Sequence, residues 1–231
     1  MEKLYDKLKS DSRLGDGLKS CINCGICTAI CPAAEFYDYD PRVIMDKVQS
    51  KDDNVIKELL KGEKIWYCGQ CMSCKTRCPR GNAPGVVIQV LRKISIEEGY
   101  FVESEKGRQQ YAINKMMYHN LTNYGYSIYP RTFKYSMHPE CGPVWEWIEN
   151  NLEDVYARNG ANLDGEGPGG LRKIPKESMD EFRKIFDATG ATKELNHITK
   201  CSMEVAKKMG LNEEEYFNMV FNETEKDHLN H

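Results

Sequence analysis

Two cysteine runs with the same spacing constrain this chain more than any other feature. The first run is CINCGICTAICP, residues 21–32, and the second is CGQCMSCKTRCP, residues 68–79. Every cysteine and the closing proline of the first run return 47 positions later, so the two runs are copies of one motif. The eight positions are Cys21, Cys24, Cys27, Cys31, Cys68, Cys71, Cys74 and Cys78.

The spacing C-x2-C-x2-C-x3-C-P is typical of cysteines that hold 4Fe–4S clusters. A loop with a cysteine at every third residue can wrap three thiolates around one face of a cubane cluster, and Gly25 and Gly69 are expected to allow its tight turns. Where two such runs occur together, the fourth cysteine usually serves the other cluster. The predicted ligands are Cys21, Cys24, Cys27 and Cys78 for the first cluster, and Cys68, Cys71, Cys74 and Cys31 for the second.

Zinc is the alternative metal, because paired C-x2-C units build tetrahedral zinc sites. Three cysteines at strict three-residue spacing, with a fourth before proline, fit such a site poorly. Four thiolates per cluster leave no iron open to a substrate, which favours electron transfer over catalysis. The chain also lacks a phosphate-binding Gly-rich loop, a G-x-S-x-G motif and an H-E-x-x-H motif, so we predict no catalytic residue.

Two further cysteines lie outside the runs. Cys141, in MHPECGP, has His138 nearby, so a metal, redox or catalytic role for Cys141 stays open at this point. Cys201 lies near a helical apolar stripe and is predicted to be a small buried hydrophobic residue.

The two runs differ in charge. The first has no charged residue, whereas the second and its exit carry Lys75, Arg77 and Arg80. Positive charge near a cluster favours its reduced form, so we predict the higher reduction potential for the second cluster. The alternative is that these cations form a solvated or docking face.

The surrounding sequence predicts a mainly α protein. Apolar residues recur at helical spacing after Asp40-Pro41 and after Pro84, which are typical helix starts, and another such segment stops at Gly62. Few segments alternate with period two. The predicted fold is an α-helical two-cluster ferredoxin domain, followed by a helical or irregular C-terminal extension that is rich in aromatic residues.

The composition further divides the extension. Its aromatics either pack as an irregular layer or form a partner-docking surface. Near the C-terminus, Ser178 with Glu181 predicts a capping box, and Asn212 predicts a second helix cap. The predicted parts are a ferredoxin domain at 1–105, an aromatic-rich segment packing on it or on partners at 106–158, a flexible linker at 159–176 and a small helical module at 177–231.

Net charge and hydropathy narrow the class of protein. The formal net charge is −3, and no stretch is basic enough to follow phosphates, which argues against a nucleic-acid partner. The N-terminus lacks the apolar core of a signal peptide, and no apolar run approaches the roughly 20 residues of a membrane helix. We therefore expect a cytoplasmic protein without a membrane span, in which clustered cysteines indicate metal rather than disulfides.

Motifs around the cysteines resemble a known family. YDYDPRVIM, IWYC, CPRG and VLRK are similar to segments of the C subunit of heterodisulfide reductase and its relatives, over roughly residues 15–100. The resemblance implies a helical two-cluster ferredoxin fold, like that of the succinate dehydrogenase iron–sulfur subunit. It also implies partners, namely a flavin-bearing A subunit and a B subunit whose Cys-Cys-Gly motifs, absent here, mark the site of disulfide chemistry.

The chain departs from the family pattern in two places. Asn82 follows CPRG where an apolar residue is usual, and the sequence after about residue 105 exceeds what a minimal C subunit needs. The extension favours the related complexes of sulfur-oxidising organisms, with A-like and B-like partners and a homodimer or larger assembly. The alternative is an iron–sulfur subunit of a fumarate, succinate or glycolate type of respiratory complex.

Overall fold

The computed structural model describes residues 3–222, and these residues form helices and loops without a β-strand. The predicted mainly α class is thereby confirmed, while the end of the predicted C-terminal module, 223–231, lies outside the described residues. No helix within 3–222 is both long and apolar enough to cross a membrane.

The helices of this range follow one another along the chain, with the longest connections before α10 and before α12. The α-helices are α1 (Leu4–Ser10), α2 (Ser12–Gly17), α3 (Ile26–Ala29), α4 (Ala33–Phe36), α5 (Pro41–Gln49), α6 (Asp53–Lys61), α7 (Ser73–Arg77), α8 (Pro84–Glu97), α9 (Glu105–Tyr124), α10 (Gly142–Asn150), α11 (Leu152–Arg158), α12 (Lys176–Thr189), α13 (Ala191–Met209) and α14 (Glu213–Asn222). Short 3-10 helices lie at Tyr100–Glu103, Tyr135–Met137 and Pro139–Cys141.

The described residues group into two compact units. The first contains 3–112 together with 197–222, and the second contains 113–196. Helices α9 and α13 each contribute residues to both units. This grouping divides the chain at different places from the four parts predicted above.

Helix α8 provides the centre of the first unit. Its residues Val87, Ile88 and Leu91 are at most 1% exposed, and the helix packs against α2, α5 and α6. Burying one such side chain contributes about 1.5–3 kcal/mol relative to leaving it in water. Residues of the C-terminal helices, including Ile198 and Tyr216, belong to the same core.

The ends of the helices near the cysteine runs follow the predicted signals. Asp40 caps α5, because its carboxylate accepts hydrogen bonds from the N–H groups of Arg42 at 2.8 Å and Val43 at 3.3 Å. Proline occupies the first position of both α5 and α8, and α6 ends at Gly62. These predicted starts and stops are confirmed.

One predicted cap near the C-terminus is wrong and the other is confirmed. Ser178 does not begin α12, since Pro175 directly precedes the helix and its carbonyl accepts the N–H of Met179 at 3.1 Å. The fixed φ of proline starts the helix earlier, so Ser178 falls inside the first turn. Asn212 does form a capping box, with reciprocal bonds of 3.0 and 2.8 Å to Glu215.

The second unit contains an aromatic layer. Tyr124 stacks on Tyr129 with ring centroids 4.0 Å apart, and Tyr129 is only 2% exposed. Trp147 and Ile128, by contrast, are 51% and 67% exposed. The aromatic-rich segment therefore contains both packed rings and exposed apolar side chains, and a docking role for it stays a prediction.

The segment predicted as a flexible linker forms a loop with internal hydrogen bonds. The N–H of Leu171 donates to Ala161 O at 2.9 Å, and the N–H of Asp164 donates to Leu171 O at 3.1 Å. Asp164 also accepts from Arg131 Nε at 2.7 Å. These contacts hold the loop within the second unit.

Gly107, in the first turn of α9, lies too close to Phe101 and Ser104 to accommodate a side chain, so a substitution there tests the packing of the first unit. An added Cβ there would lie 2.1 Å from the carbonyl oxygen of Phe101 and 2.4 Å from Ser104 Oγ. We predict that Gly107→Ala lowers the free energy of unfolding by about 1–3 kcal/mol, because Phe101 is fully buried and its backbone cannot yield. Anaerobic thermal unfolding followed by far-UV circular dichroism measures the effect.

Gly15→Ala in α2 is the matched control. No atom outside the local backbone lies within 4 Å of a Cβ at Gly15. Alanine exceeds glycine in helix propensity by about 1 kcal/mol, so this variant should melt at the same or a higher temperature. An unchanged melting temperature for Gly107→Ala would contradict the packing described here.

Candidate iron–sulfur sites

The two cysteine loops repeat each other in three dimensions. In each loop an N–H two residues after the first cysteine donates to that cysteine's sulfur, at 3.4 Å to Cys21 and 3.4 Å to Cys68. Each loop then enters a short helix, α3 or α7, and these two helices pack together. The positive φ angles are 59° at Asn23 and 82° at Gly25 in the first loop, and 55° at Gln70 and 59° at Met72 in the second.

The prediction that a glycine allows the tight turn of each loop holds for the first loop but not for the second. Gly25 has the left-handed conformation that favours glycine, as expected, but Gly69 does not. The equivalent left-handed position of the second loop is Met72, which costs about 1–2 kcal/mol in a residue with a side chain. The Met72 thioether lies against Gly85 of α8, where an added Cβ would be 3.1 Å from its sulfur.

The loops line two open cavities, each with about 370 Å³ of space, part of which is open to solvent. Their sulfurs line these spaces, and among residues 3–222 no three His, Cys, Asp or Glu side chains are grouped tightly enough to hold a single metal ion. The first cavity is lined by Cys21, Cys24, Cys27 and Cys78, and the second by Cys31, Cys68, Cys71 and Cys74. The structure thus brings the cysteines together in the two predicted groups of four.

The internal repeat extends beyond the loops to the helices that follow them. Arg42 and Met45 of α5 line the first cavity, and the residues 43 positions later, Gly85 and Ile88 of α8, line the second. The offset falls from 47 to 43 because the connection between loop and helix is four residues shorter in the second half. Each half therefore consists of one cysteine loop and one helix that begins with proline.

Equivalent positions of the two helices hold the first cysteine of each loop. Gln49 accepts the N–H of Cys21 at 2.8 Å and donates to its carbonyl at 3.2 Å. Arg92, 43 positions later, donates to the carbonyl of Cys68. Its guanidinium bonds are 2.7 Å to Ile65 O, 2.8 Å to Trp66 O and 2.7 Å to Cys68 O. Sequence reasoning missed both residues, and comparing the two helices at a 43-residue offset is the signal that finds them.

Asn82 fastens the exit of the second loop to the entry of the first. Its side chain, in a residue only 2% exposed, accepts N–H bonds from Lys19 at 2.8 Å and Ser20 at 3.3 Å and donates to Ser20 O at 3.1 Å. Its own N–H donates to Cys78 Sγ at 3.3 Å. The polar residue at this position, unusual for the family resemblance, thus has a structural explanation.

Tyr39 occupies the position of the first half that corresponds to Asn82 in the second half. Its surroundings show whether the second cavity suits a sulfur-rich group. Tyr39 is 3% exposed and lines the cavity, and its hydroxyl interacts with the Cys68 sulfur but makes no hydrogen bond of regular geometry among the described residues. Burial, and then the negative charge of a Cys68 thiolate, raise the pKa of Tyr39 far above its ordinary value. A buried hydroxyl is normally satisfied, and a cluster or its thiolates would supply the acceptor. The residues therefore fit the predicted group.

Burial and hydrogen bonding shift the pKa values of the cavity thiols in different directions. Burial raises the pKa of Cys27 to about 11 and also raises the pKa values of Cys31 and Cys74. Cys71 is the opposite case, because a hydrogen bond with the Ser73 hydroxyl at 3.4 Å lowers its pKa. Thiols held neutral by burial ionise when iron binds, so cluster insertion is coupled to proton release.

The positive charges do not all lie where the sequence suggested. Arg80 lines the first cavity together with Arg42, so its predicted place beside the second cluster was wrong. The reason is the exchange of cysteines, since Cys78 crosses to the first cavity and takes the following residues with it. Lys75 and Arg77 are exposed on α7.

The two remaining cysteines lie outside both cavities. Cys141 is exposed, and His138 stacks on Phe133 and pairs with Glu140 at 3.0 Å. Cys201 is only half-buried, with its sulfur 3.7 Å from His197 Nε2, and burial raises the pKa of its thiol. A raised pKa keeps a thiol protonated and unreactive at neutral pH.

The comparisons with known proteins agree with this geometry. Residues 17–82 match the family described as a 4Fe–4S dicluster domain. The chain is 40% identical to the C subunit of the ferredoxin:CoB-CoM heterodisulfide reductase of Methanosarcina acetivorans, over 75% of this chain and 63% of that protein. It is 28% identical to the C subunit of the H2:CoB-CoM heterodisulfide,ferredoxin reductase of Methanothermobacter thermautotrophicus, over 76% of this chain and 77% of that protein. A third relative is the iron–sulfur C subunit of the CoB–CoM heterodisulfide reductase of Methanopyrus kandleri, 30% identical over 38% of this chain and 45% of that protein.

The helical fold, the two cysteine-lined cavities and the domain match together define a 4Fe–4S dicluster protein. The similarity beyond the cluster domain narrows the class further. Over about three quarters of its length, the chain is similar to C subunits of heterodisulfide reductases. It spans less than two thirds of the Methanosarcina and Methanopyrus relatives.

Asn82 provides a test of how the first cavity is held. Asn82→Leu removes the side-chain hydrogen bonds to Lys19 and Ser20. Each buried polar group left without a partner lowers stability by about 1–3 kcal/mol. We expect the first cluster to become labile, so that iron retained after exposure to a chelator falls from about eight to about four atoms per chain. Iron analysis and visible absorption measure the loss.

Asn54→Leu is the matched control, because Asn54 is exposed on α6. This variant should retain iron as the unchanged chain does. Equal retention by Asn82→Leu would show that Asn82 does not hold the first cavity.

Proposed function

We propose that this chain is the iron–sulfur electron-transfer subunit of a heterodisulfide reductase-like complex and performs no substrate chemistry alone. The observation that carries the proposal is the exchange of Cys31 and Cys78 between two cysteine loops of one unit. Four sulfurs per cavity match the thiolate requirement of a 4Fe–4S cluster, and no ligand position is left for a substrate.

The ligand assignment forms part of this proposal. Cys21, Cys24, Cys27 and Cys78 would hold the first cluster, and Cys68, Cys71, Cys74 and Cys31 the second. When bound, each cluster supplies a site that accepts or releases one electron. Loop N–H groups directed at sulfur, such as those of Asn23 and Asn82, stabilise the negative charge of the thiolates.

The exposure of the cysteines supports a relay with two accessible ends. Cys24 and Cys71, the second cysteine of each run, are exposed, whereas the other six cysteines of the runs are half-buried. Packing of α3 on α7 keeps the two loops adjacent. One partner could therefore approach near Cys24 and another near Cys71.

For the partners we propose a flavin-bearing A-like subunit and a Cys-Cys-Gly-bearing B-like subunit, with a disulfide or related sulfur compound as the substrate of the complex. The names of the relatives, all C subunits of heterodisulfide reductases, support this choice. A complex from a sulfur oxidiser is less favoured than the sequence suggested, because the alignment with the Methanosarcina protein runs over 174 residues and so includes part of the extension. A thiol–disulfide substrate remains the proposal.

The test uses the complex purified anaerobically with its partner subunits. Cys31→Ser should remove or alter the second cluster and abolish disulfide reduction with the physiological electron donor. Reduction by an artificial viologen donor, which can feed the disulfide-active partner directly, should continue. This split distinguishes a relay from a reaction centre.

Cys141→Ser is the matched control, since Cys141 lies outside both cavities. It should leave both assays unchanged. If Cys141→Ser abolished both activities, or if Cys31→Ser stopped the viologen-driven reaction as well, the chain would take part in the chemistry itself.

A further inference from the structure

The internal repeat offers a comparison of the two clusters' surroundings, position by position. Most equivalent positions do the same work in both halves, as Pro41 and Pro84 do at the helix starts. At the position that holds the first cysteine, the first half has the neutral amide of Gln49 and the second half has the guanidinium of Arg92. One half therefore carries a positive charge at a place where the other carries none.

Arg92 is unusual because its charge faces inward without a carboxylate partner. Its guanidinium hydrogen bonds go to backbone carbonyls, and the group lies 5.4 Å from the Trp66 ring. No carboxylate within residues 3–222 forms an ion pair with it. The charges that face it are those of the second cavity. Burial lowers the pKa of Arg92, and the negative charge of a Cys68 thiolate, followed by that of Tyr39, opposes this lowering.

We propose that Arg92 sets the reduction potential of the second cluster above that of the first. Reduction adds a negative charge to a cluster, and a nearby cation stabilises the reduced form. Tyr39, whose buried hydroxyl lies in the same cavity and interacts with the Cys68 sulfur, acts in the same direction by donating a hydrogen bond to a sulfur. Arg92 and Tyr39 are positioning residues, because they act on the cluster without ligating it.

The cations of the first cavity act more weakly, although there are two of them. Arg42 pairs with the Asp40 carboxylate at 3.0 Å, which offsets its charge, and Arg80 is exposed. At equal distance a charge pair interacts about four times more strongly at an effective dielectric constant near 20 than in water. Salt screens exposed charges further, over a Debye length of about 8 Å at physiological ionic strength. The inward-facing Arg92 therefore outweighs them.

The test exchanges the two side chains. In the full chain, Arg92→Gln should lower one midpoint potential so that the ratio of reduced to oxidised cluster at the original midpoint falls at least tenfold, which is about 59 mV for one electron. The other midpoint should move much less. Gln49→Arg should raise the midpoint that Arg92→Gln left in place. Anaerobic redox titration followed by electron paramagnetic resonance measures both.

Arg92→Lys separates charge from structure. Lysine keeps the positive charge but cannot reproduce the forked bonds to three carbonyls. The potential should stay near that of the unchanged chain, and the proposal is overturned if Lys and Gln lower it equally. Tyr39→Phe, which preserves the ring, should lower the same midpoint as Arg92→Gln, and a shift in the other midpoint would count against the proposal.

Iron content keeps the test interpretable. About eight irons per chain in each variant shows that both clusters are present, so unmoved potentials then overturn the role of Arg92 and leave the electron-transfer function intact. If Arg92→Gln cannot retain its second cluster, Gln49→Arg decides, because it leaves Arg92 untouched. A rise of the first cluster's potential supports the proposal, and no change refutes it.

Discussion

The exchange of the fourth cysteine between the two loops is the constraint on which the rest of the structure depends. Cys31 must reach the second cavity and Cys78 the first, so neither loop can complete its set of sulfurs without the other. The two loops must therefore lie side by side, and α3 and α7 pack together to place them there. Because metal binding is coupled to folding in such sites, clusters bound in these cavities would join the two halves in addition to the apolar core.

Local sequence was a good guide wherever the physical cause is local. The grouping of the cysteines around two cavities follows from spacing, and the starts of α5 and α8 follow from proline at the first helical position. The one wrong cap, at Ser178, arose because Pro175 just before it is the stronger start signal. A composition-based border also could not show that Ile198 and Tyr216 return to the N-terminal core, since an apolar stripe indicates burial but not the surface that covers it.

The side chains that support the sites could not be predicted in the same way. Gln49 lies 28 residues from the cysteine it holds, and Asn82 lies 62 residues from Ser20. Such contacts depend on how the helices cross, which spacing does not specify. The location of Arg80 could not be predicted either, because Arg80 lines the first cavity together with Cys78 rather than the second cavity. The duplication is the exception, since aligning the halves at 43 residues identifies Arg92 once Gln49 is known.

The exchanged cysteine also bears on how such a chain could arise. One loop-and-helix half provides three sulfurs for its own cavity and sends the fourth to its neighbour. Two identical halves related by a two-fold axis could satisfy each other in the same way, as isologous homodimers do. The present chain is in effect such a dimer with its two halves joined in one polypeptide. Once joined, equivalent positions became free to differ, as Gln49 and Arg92 do, which no symmetric pair of identical chains can achieve.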